Sequence, residues 1–297
     1  MTILHVRHET IYRYRSPVAF GEHRMLLRPR DGLDQRTLDY RLEIEPAPAS
    51  LTWCEDVSGN AVATATFGRR ASELSVVATM AVEQSPFREQ DLRLPAHARE
   101  CPFSYGAEEM PDLVRFIEPH DPDHDHCVDQ WARRILAEAG QDTWSFLTGM
   151  NAAIHHDLAY LRREEPGIQP AAETLRKGSG SCRDFAALMA EGLRSLGLAA
   201  RFVSGYLHVP HEEGRAAQAG GNTHAWIQVY LPGAGWIDFD PTSGWVGNGG
   251  LVRVAAARDP AQAAPLAGSF MGFPSDYLGM TVNVSVTSRD PPAIAAA

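Results

Sequence analysis

Apolar and polar residues alternate along much of the first eighty-odd positions of the chain. Every second residue from Leu38 onward is apolar as far as Ile44, and residues 74–82 repeat this period of two. Such alternation is typical of half-buried strands, whose successive side chains point to opposite faces. Further strands are indicated around a turn at 56–60 by Val6, Tyr12 and Tyr14 and by the segment 62–67. The pattern predicts an antiparallel β domain over residues 1–84, which we interpret as a scaffold or recognition module.

A proline-rich stretch separates this domain from the rest of the chain. Six prolines fall between residues 85 and 125. Proline lacks a backbone N–H and fixes its φ angle, so closely spaced prolines interrupt helices and strands alike. We therefore expect a connector without long regular elements.

Beyond the connector the apolar spacing becomes that of helices. Residues 128–136 predict a helix that ends at Gly140, and Asp142 is placed to cap a second one that ends near His155 and His156. These two histidines are interpreted as surface residues near the negative end of the helix. Three later elements are a short helix at 170–175, a strand at 200–206 and a polar, glycine-rich loop at 209–222 that could border a cleft.

The segment 178–184, Gly-Ser-Gly-Ser-Cys-Arg-Asp, leads into a run of helical spacing that stops at Gly197. Ser181 and Asp184 form an S-x-x-D pair typical of a capping box, which makes Cys182 the first helical residue. The unpaired N–H groups and the positive end of the helix favour the negative charge of a thiolate there. Cys182 is therefore a candidate nucleophile.

A hairpin after this helix carries two further candidate catalytic groups. His224 lies on the polar face of an alternating strand, and Asp238 and Asp240 share one face of the strand that returns. A connection centred on Gly233 would place Asp240 diagonal to His224, with Asp238 two residues farther along. Cys182, His224 and Asp240 would then supply the nucleophile, the base and the group that orients the base, as thiol acyl transfer requires.

Composition and charge narrow the function classes. The chain has 27 Lys and Arg against 37 Asp and Glu, a net charge of −10, and no basic cluster that would follow a nucleic-acid backbone. Neither a signal peptide nor an apolar run long enough to span a membrane is evident, so we expect a cytoplasmic protein without a membrane partner. The four cysteines are far apart, so free thiols are expected, and no cofactor is indicated.

Potential metal ligands crowd one acidic loop at the end of the connector. The loop contains His120, His124, His126 and Cys127, interleaved with Asp121, Asp123 and Asp125. All are ligand types, but their spacing matches no closed zinc motif. We favour a solvated loop whose Asp or His caps the next helix, and we predict no bound metal.

Several motifs together resemble one known family. G-x-G-x-C-R-D-F-A at 178–186, R-x-V-S-G-Y at 201–206, H-A-W-x-x-V-Y at 224–230 and G-W-x-x-x-D-P-T at 235–242 resemble the transglutaminase-like superfamily over residues 126–245. Segments at 8–14, 27–29 and 56–60 resemble the N-terminal β domain of its bacterial members. The resemblance implies three parts: an N-terminal β domain at 1–84, a connector at 85–125 and an α+β, papain-like catalytic domain at 126–297 that includes the C-terminal strands.

The resemblance also implies an activity. Cys182 would be the nucleophile, His224 the base and Asp240 the orienting residue of an acyltransferase or amide hydrolase that acts on peptides or proteins. Protease, deamidase and transglutaminase share these residues, so the sequence leaves the reaction open. Arylamine N-acetyl transfer, for which no coenzyme A signal is seen, and a catalytically silent peptide-binding or assembly module are the alternatives. The Cys182 N–H is the expected first oxyanion donor, with Trp144 or Tyr160 as the second.

Overall fold

The computed structural model describes residues 1–163, 165, 167–208 and 223–289. The first five strands form one antiparallel sheet, in the spatial order second, fifth, first, fourth, third. They are β1 (Thr2–Met25), β2 (Gln35–Glu45), β3 (Ser50–Glu55), β4 (Ala61–Thr66) and β5 (Arg70–Gln84). The predicted β domain is confirmed. The predicted loop at 209–222 lies outside the described residues.

One residue departs from the alternation that predicted β2. Leu38 is 43% exposed, although the period of two placed it on the same face as Tyr40, Leu42 and Ile44. The pairing with β5 shifts between Thr37 and Asp39, so Leu38 is an extra residue in a β-bulge. The bulge places the Leu38 side chain on the exposed face of the strand. Alternation of apolar and polar residues alone does not reveal such a bulge.

The connector contains more regular structure than we predicted. Besides two 3₁₀ turns at Glu89–Asp91 and Ala96–Ala98, it forms helix α1 (Met110–Ile117). Pro111 lies in the first turn of α1, where a missing N–H leaves no helical hydrogen bond unmade. The prediction of an irregular connector is therefore wrong over these eight residues.

The second half of the chain builds a layer of helices on a second antiparallel sheet. Its helices are α2 (Cys127–Ala139), α3 (Thr143–Asp157), α4 (Ala171–Lys177) and α5 (Cys182–Ser195). Its main strands are β8 (Ala200–Leu207), β9 (Thr223–Leu231), β10 (Gly235–Asp240), β11 (Trp245–Val246) and β12 (Leu251–Ala257). They lie in the spatial order β11-β10-β9-β8-β12. A separate short pair consists of β6 (Ala159–Tyr160) and β7 (Ser179–Gly180). The almost wholly buried α5 packs against β8 and β9. The predicted helices and the strand at 200–206 are confirmed.

The C-terminal strands belong to the first sheet. Strands β13 (Leu266–Met271) and β14 (Tyr277–Arg289) both pair with β1. The predicted domain boundary, which placed the C-terminal strands with the catalytic domain, is therefore wrong in this respect. The chain crosses from the second sheet back to the first after β12, so the first sheet contains strands from both ends of the chain, whereas the main strands of the second sheet all lie between residues 200 and 257.

Side-chain amides of the first domain cover the free edge of β12. Gln35 donates to the Arg253 carbonyl at 2.9 Å and accepts the Arg253 N–H at 2.9 Å. Asn60 makes the same two-bond pair with Ala256, again at 2.9 Å for each bond. Each amide thus replaces one residue of a neighbouring strand, and the two sheets are fixed to one another through β12.

Candidate active site

The start of α5 is built as the capping-box pattern predicted. Ser181 is the N-cap, and both its N–H and its hydroxyl donate to Asp184 Oδ2 at 2.8 Å. The other oxygen of Asp184 accepts from the Gln169 N–H and from Arg163 Nη1, at 2.6 and 2.7 Å. Burial raises the pKa of Asp184, but these hydrogen bonds outweigh it and the pKa is lowered. The first turn of α5 is therefore held by an ionised, fully bonded carboxylate.

A short parallel ladder leads the chain to Cys182. Ala159 donates its N–H to the Gly178 carbonyl at 2.9 Å, and Leu161 donates to the Gly180 carbonyl at 2.8 Å. A side chain at Gly180 would bring its Cβ to 2.8 Å from the Cβ of Asp184, so glycine is required for this close approach. The arrangement fixes Cys182 at the first helical position, beside Tyr160.

His224 and Asp240 meet across the β9–β10 hairpin. Asp238 pairs with Gln228 and Gly235 with Leu231, which is the register that a connection centred on Gly233 predicts. His224 Nε2 lies 2.8 Å from Asp240 Oδ2, and the other oxygen of Asp240 accepts the Thr242 N–H at 3.0 Å. Asp240 is completely buried. The predicted diagonal contact is confirmed.

The imidazole of His224 is bonded on both sides. Burial lowers the pKa of His224, but hydrogen bonds to Asp240 and Cys182 outweigh it and raise the pKa well above its ordinary value. Burial also raises the pKa of Asp240. The hydrogen bond to His224 and the charge of that ring lower it by more, so the pKa of Asp240 is below its ordinary value. Because Nε2 bonds Asp240, Nδ1 is the nitrogen left for Cys182. The geometry favours an imidazolium between a carboxylate and a sulfur.

Asp238, the competing aspartate, has a different set of partners. Its buried carboxylate accepts from Trp226 Nε1 at 2.7 Å and pairs with Arg253 Nη1 at 2.7 Å. Arg253 also binds Asp34 of the first domain. The Trp226 ring in turn stacks on His224, with ring centroids 6.0 Å apart and planes 24° apart. Asp238 therefore fixes the position of the Trp226 ring, which stacks on His224.

Tyr160 and Trp144, the two candidates for a second oxyanion donor, lie in different surroundings. Tyr160 is 52% exposed, and after burial the charge of Cys182 is the next cause that raises the pKa of its phenol. The Trp144 ring packs instead against Phe87 and Phe239, with centroids 6.1 and 5.8 Å away. Of the two, Tyr160 is the side chain whose pKa is raised by the charge of Cys182.

His155 has a role that the sequence did not indicate. It is exposed, as predicted for a surface residue, and its Nδ1 lies 2.8 Å from the Thr242 carbonyl oxygen. The N–H of Thr242 binds Asp240, so His155 supports the turn that holds the orienting carboxylate. The two residues are 87 positions apart, and no local pattern in the sequence links them.

The acidic loop before α2 acts as a cap. Asp123 accepts the N–H groups of Cys127, Val128 and Asp129 at 3.0, 3.0 and 3.1 Å. The N–H groups of His120 and Asp121 donate to Glu191. Within the described residues, no three potential ligands are grouped as a metal site would need.

Among the same residues, no helix is long and apolar enough to cross a membrane.

Two family models match the chain. The model for the bacterial transglutaminase-like N-terminal region matches residues 4–83, and the model for the transglutaminase-like superfamily core matches residues 129–241. An uncharacterized protein of Mycobacterium tuberculosis, strain H37Rv, is 29% identical over 282 residues, which are 89% of this chain and 86% of that protein. A protein-glutamine gamma-glutamyltransferase of Pseudomonas aeruginosa is 36% identical over 72 residues, 22% of this chain and 10% of that enzyme.

A solved structure shares the whole architecture. A crystal structure from Cytophaga hutchinsonii, provisionally described as a cysteine protease, superimposes with a TM-score of 0.70 at 21% sequence identity. The match covers 98% of this chain and 91% of the other. The predicted α+β fold, with an N-terminal β domain and a transglutaminase-like, papain-like core, is therefore confirmed.

Proposed function

Because the chain belongs to the transglutaminase-like superfamily, we propose that it is a cysteine-dependent enzyme that transfers or hydrolyses the acyl group of peptide or protein amides. Cys182 is the nucleophile, His224 the acid and base, and Asp240 the residue that orients His224. The observation that carries the proposal is the 2.8 Å contact between His224 Nε2 and the buried Asp240 Oδ2, made by an imidazole whose pKa Cys182 also raises. This is the constellation that thiol acyl transfer requires.

The first half of the proposed reaction forms a thioester. The Cys182 thiolate attacks the carbonyl carbon of the amide, and the carbonyl oxygen becomes an oxyanion held by the Cys182 N–H and the Tyr160 hydroxyl. As the C–N bond breaks, the His224 imidazolium gives its proton to the leaving amine. The acyl group is then joined to Sγ, and His224 is neutral.

The second half releases the acyl group. Neutral His224 takes a proton from water or from a primary amine, which attacks the thioester carbonyl. The C–S bond breaks, the product leaves as an acid or a new amide, and Cys182 and His224 return to the thiolate and the imidazolium. Asp240 remains ionised throughout, which stabilises the imidazolium and fixes the orientation of the ring.

The choice between water and an amine decides the reaction name. Mass spectrometry of a peptide library incubated with the protein, with and without a primary amine, separates the outcomes directly. Cleaved peptides indicate a protease, the mass shift of deamidation a glutaminase, and amine adducts a transglutaminase. We expect one of these products from the native chain and none from Cys182→Ala, since alanine at the first helical position removes only the nucleophile. Product from Cys182→Ala would contradict the proposal.

A further inference from the structure

Two arginines that form no ion pair within the described residues lie in the segments next to the candidate nucleophile. We refer to Arg162 and Arg183 together as the arginine rim. The whole chain has a net charge of −10, so a local excess of positive charge at the active site runs against the average of the molecule. Such a local field attracts substrates of opposite sign and raises their encounter rate.

Backbone pairing places both arginines at Cys182. Arg183 follows Cys182 directly in the first turn of α5. In the parallel β6–β7 pair, Tyr160 lies opposite Gly180, and the Leu161 N–H donates to the Gly180 carbonyl at 2.8 Å. Arg162 follows Tyr160 by two positions, as Cys182 follows Gly180, so both residues lie just beyond the end of this pair. In an extended chain, residues two apart share a face, so Arg162 follows Tyr160 on its side of the segment.

Two carboxylates of the described residues near the rim are already paired with another arginine. Asp184 and Glu165 both bind Arg163, at 2.7 and 3.6 Å. Within the part of the chain that the structure describes, Arg183 donates to the neutral carbonyl oxygens of Arg163 and Glu165, at 3.2 and 3.3 Å, and forms no ion pair. The exposed Arg162 has no hydrogen bond or ion pair among the described residues.

The pKa of the Tyr160 hydroxyl is shifted by Cys182 and by both arginines of the rim. Arg162 and Arg183 both act to lower the pKa of Tyr160, whereas burial and the charge of Cys182 raise it. The charges of the rim and the charge of Cys182 therefore both shift the pKa of the same phenol.

We propose that the arginine rim is a subsite for an anionic group, and that the preferred acyl donors are acidic peptides with a carboxylate next to the reactive amide. The inference rests on the proposed function of Cys182. An arginine guanidinium binds a carboxylate through two parallel N–H donors, so the rim would orient the substrate as well as attract it.

A matched pair of small reagents tests the subsite without knowledge of the substrate. Iodoacetate and iodoacetamide both alkylate a thiolate with loss of iodide, and they differ by one negative charge. The rates are measured on the Cys182 peptide by mass spectrometry, with exposed Cys54 as the internal reference thiol. We expect the iodoacetate-to-iodoacetamide rate ratio at Cys182 to fall by about threefold in Arg162→Gln and in Arg183→Gln, the size of an exposed ionic interaction.

Control variants separate charge from other effects. Arg162→Lys keeps the charge and should retain the ratio of the native chain. Arg15→Gln removes an exposed arginine from β1, in the other sheet, and should leave the ratio unchanged. High salt should lower the ratio in the native chain more than in Arg162→Gln/Arg183→Gln, because salt screens exposed charges.

The outcomes distinguish the subsite from the enzyme. If Cys182 reacts with neither reagent faster than Cys54, the proposed function itself is contradicted. If Cys182 reacts readily but the ratio is the same in the native chain and both glutamine variants, only the arginine rim is refuted.

A peptide experiment extends the test to substrates. Two otherwise identical glutamine peptides carry Glu or Gln beside the reactive residue. Arg162→Gln should raise KM for the acidic peptide more than for the neutral one, since the lost interaction contributes to binding. Equal effects on both peptides would overturn the assignment of an anionic subsite.

Discussion

Asp240 and Asp238 are two residues apart on one strand, and they have different tasks. Asp240 binds His224, whereas Asp238 binds Trp226 and Arg253. Asp240→Asn keeps the shape of the side chain but removes the charge that stabilises the imidazolium and selects its orientation. We expect turnover to fall by about 10²–10⁴, as judged from the same change in a serine triad. Steady-state kinetics on a peptide from the library assay measure this loss.

Asp238→Asn is the matched control. Its main effect should be on stability, because the buried guanidinium of Arg253 loses one of its two carboxylates. We expect the free energy of unfolding to fall by roughly 3 kcal/mol, as measured with denaturant, and turnover to fall far less than in Asp240→Asn. The reverse pattern, with Asp238→Asn inactive and Asp240→Asn nearly normal, would contradict the assigned roles.

The ionisation of His224 can be measured directly. Its hydrogen bonds to Asp240 and Cys182 raise its pKa well above the ordinary value, so the imidazole should remain protonated through neutral pH. Nitrogen NMR of the ring should show both nitrogens protonated at pH 7 in the native chain. In Asp240→Asn the raising charge is lost and burial still lowers the pKa, so the ring should lose its proton at lower pH. A native ring that is neutral at pH 7 would contradict the ion-pair description.

Local spacing was enough to predict where the three candidate residues lie, at the start of α5 and on the β9–β10 hairpin. Cys182 follows from a capping pattern within seven residues, and His224 and Asp240 follow from one hairpin register. The contacts that the sequence did not indicate are long-range. Asp34 and Arg253 are 219 positions apart, and only the fold brings them together behind Trp226. The choice of Tyr160 over Trp144 likewise depended on packing, which spacing does not show.

At the scale of elements, β8 supports the strand that carries His224. Gly205 on β8 pairs with His224, and a side chain there would collide with the Val252 carbonyl oxygen and lie 2.8 Å from the Trp226 ring. Three strands thus approach closely at a position that only glycine fills. The sequence marks this glycine within a strand, but the reason for it appears only with the neighbouring strands in place.

Gly205→Ala should therefore destabilise the second sheet. We expect the free energy of unfolding to fall by roughly 3 kcal/mol, because the added methyl must displace backbone rather than a flexible side chain. The matched control is Gly149→Ala in α3, where the nearest atom to a new Cβ is 3.9 Å away and alanine is the better helix former. Denaturant titrations of both variants measure the two free energies of unfolding. Equal stability of Gly205→Ala and the native chain would contradict the close packing of the three strands at Gly205.

Elements whose signal is strictly periodic were predicted well, and interruptions were not. The helix from Cys182 and the β9–β10 hairpin follow regular patterns. The bulge at Leu38 adds one residue to a regular strand, and α1 contains Pro111 in its first turn, although closely spaced prolines predict irregular structure. Both errors arise because a local exception to a rule leaves the surrounding pattern intact.

For the whole molecule, the two sheets depend on each other. Tyr206, Val252 and Val254 of the second sheet lie in the apolar core of the first. The side chains of Gln35 and Asn60 complete the hydrogen bonding of β12. The sequence indicated a turn at 56–60 but not its partner, because Asn60 and Ala256 are 196 positions apart.

Asn60→Ala tests this dependence. It removes two hydrogen bonds to buried backbone groups of Ala256 as well as bonds to Asp56 and Arg30. We expect a loss of roughly 3 kcal/mol in the free energy of unfolding, since unsatisfied buried groups are costly. Asn283→Ala, which removes a single exposed bond to Glu9, should cost far less in the same denaturant titration. Similar losses in the two variants would contradict a structural role for the Asn60 amide.

The central claim is that the Cys182 sulfur carries the acyl group during the reaction. Acid-quenched mixtures of the protein and the peptide library, analysed by mass spectrometry after digestion, test this most directly. We predict an acyl adduct on the Cys182 peptide of the native chain that hydroxylamine removes, as it removes a thioester, and no adduct in Cys182→Ala. Library peptides converted by the native chain and by Cys182→Ala at equal rates, with no adduct on Cys182, would contradict the account.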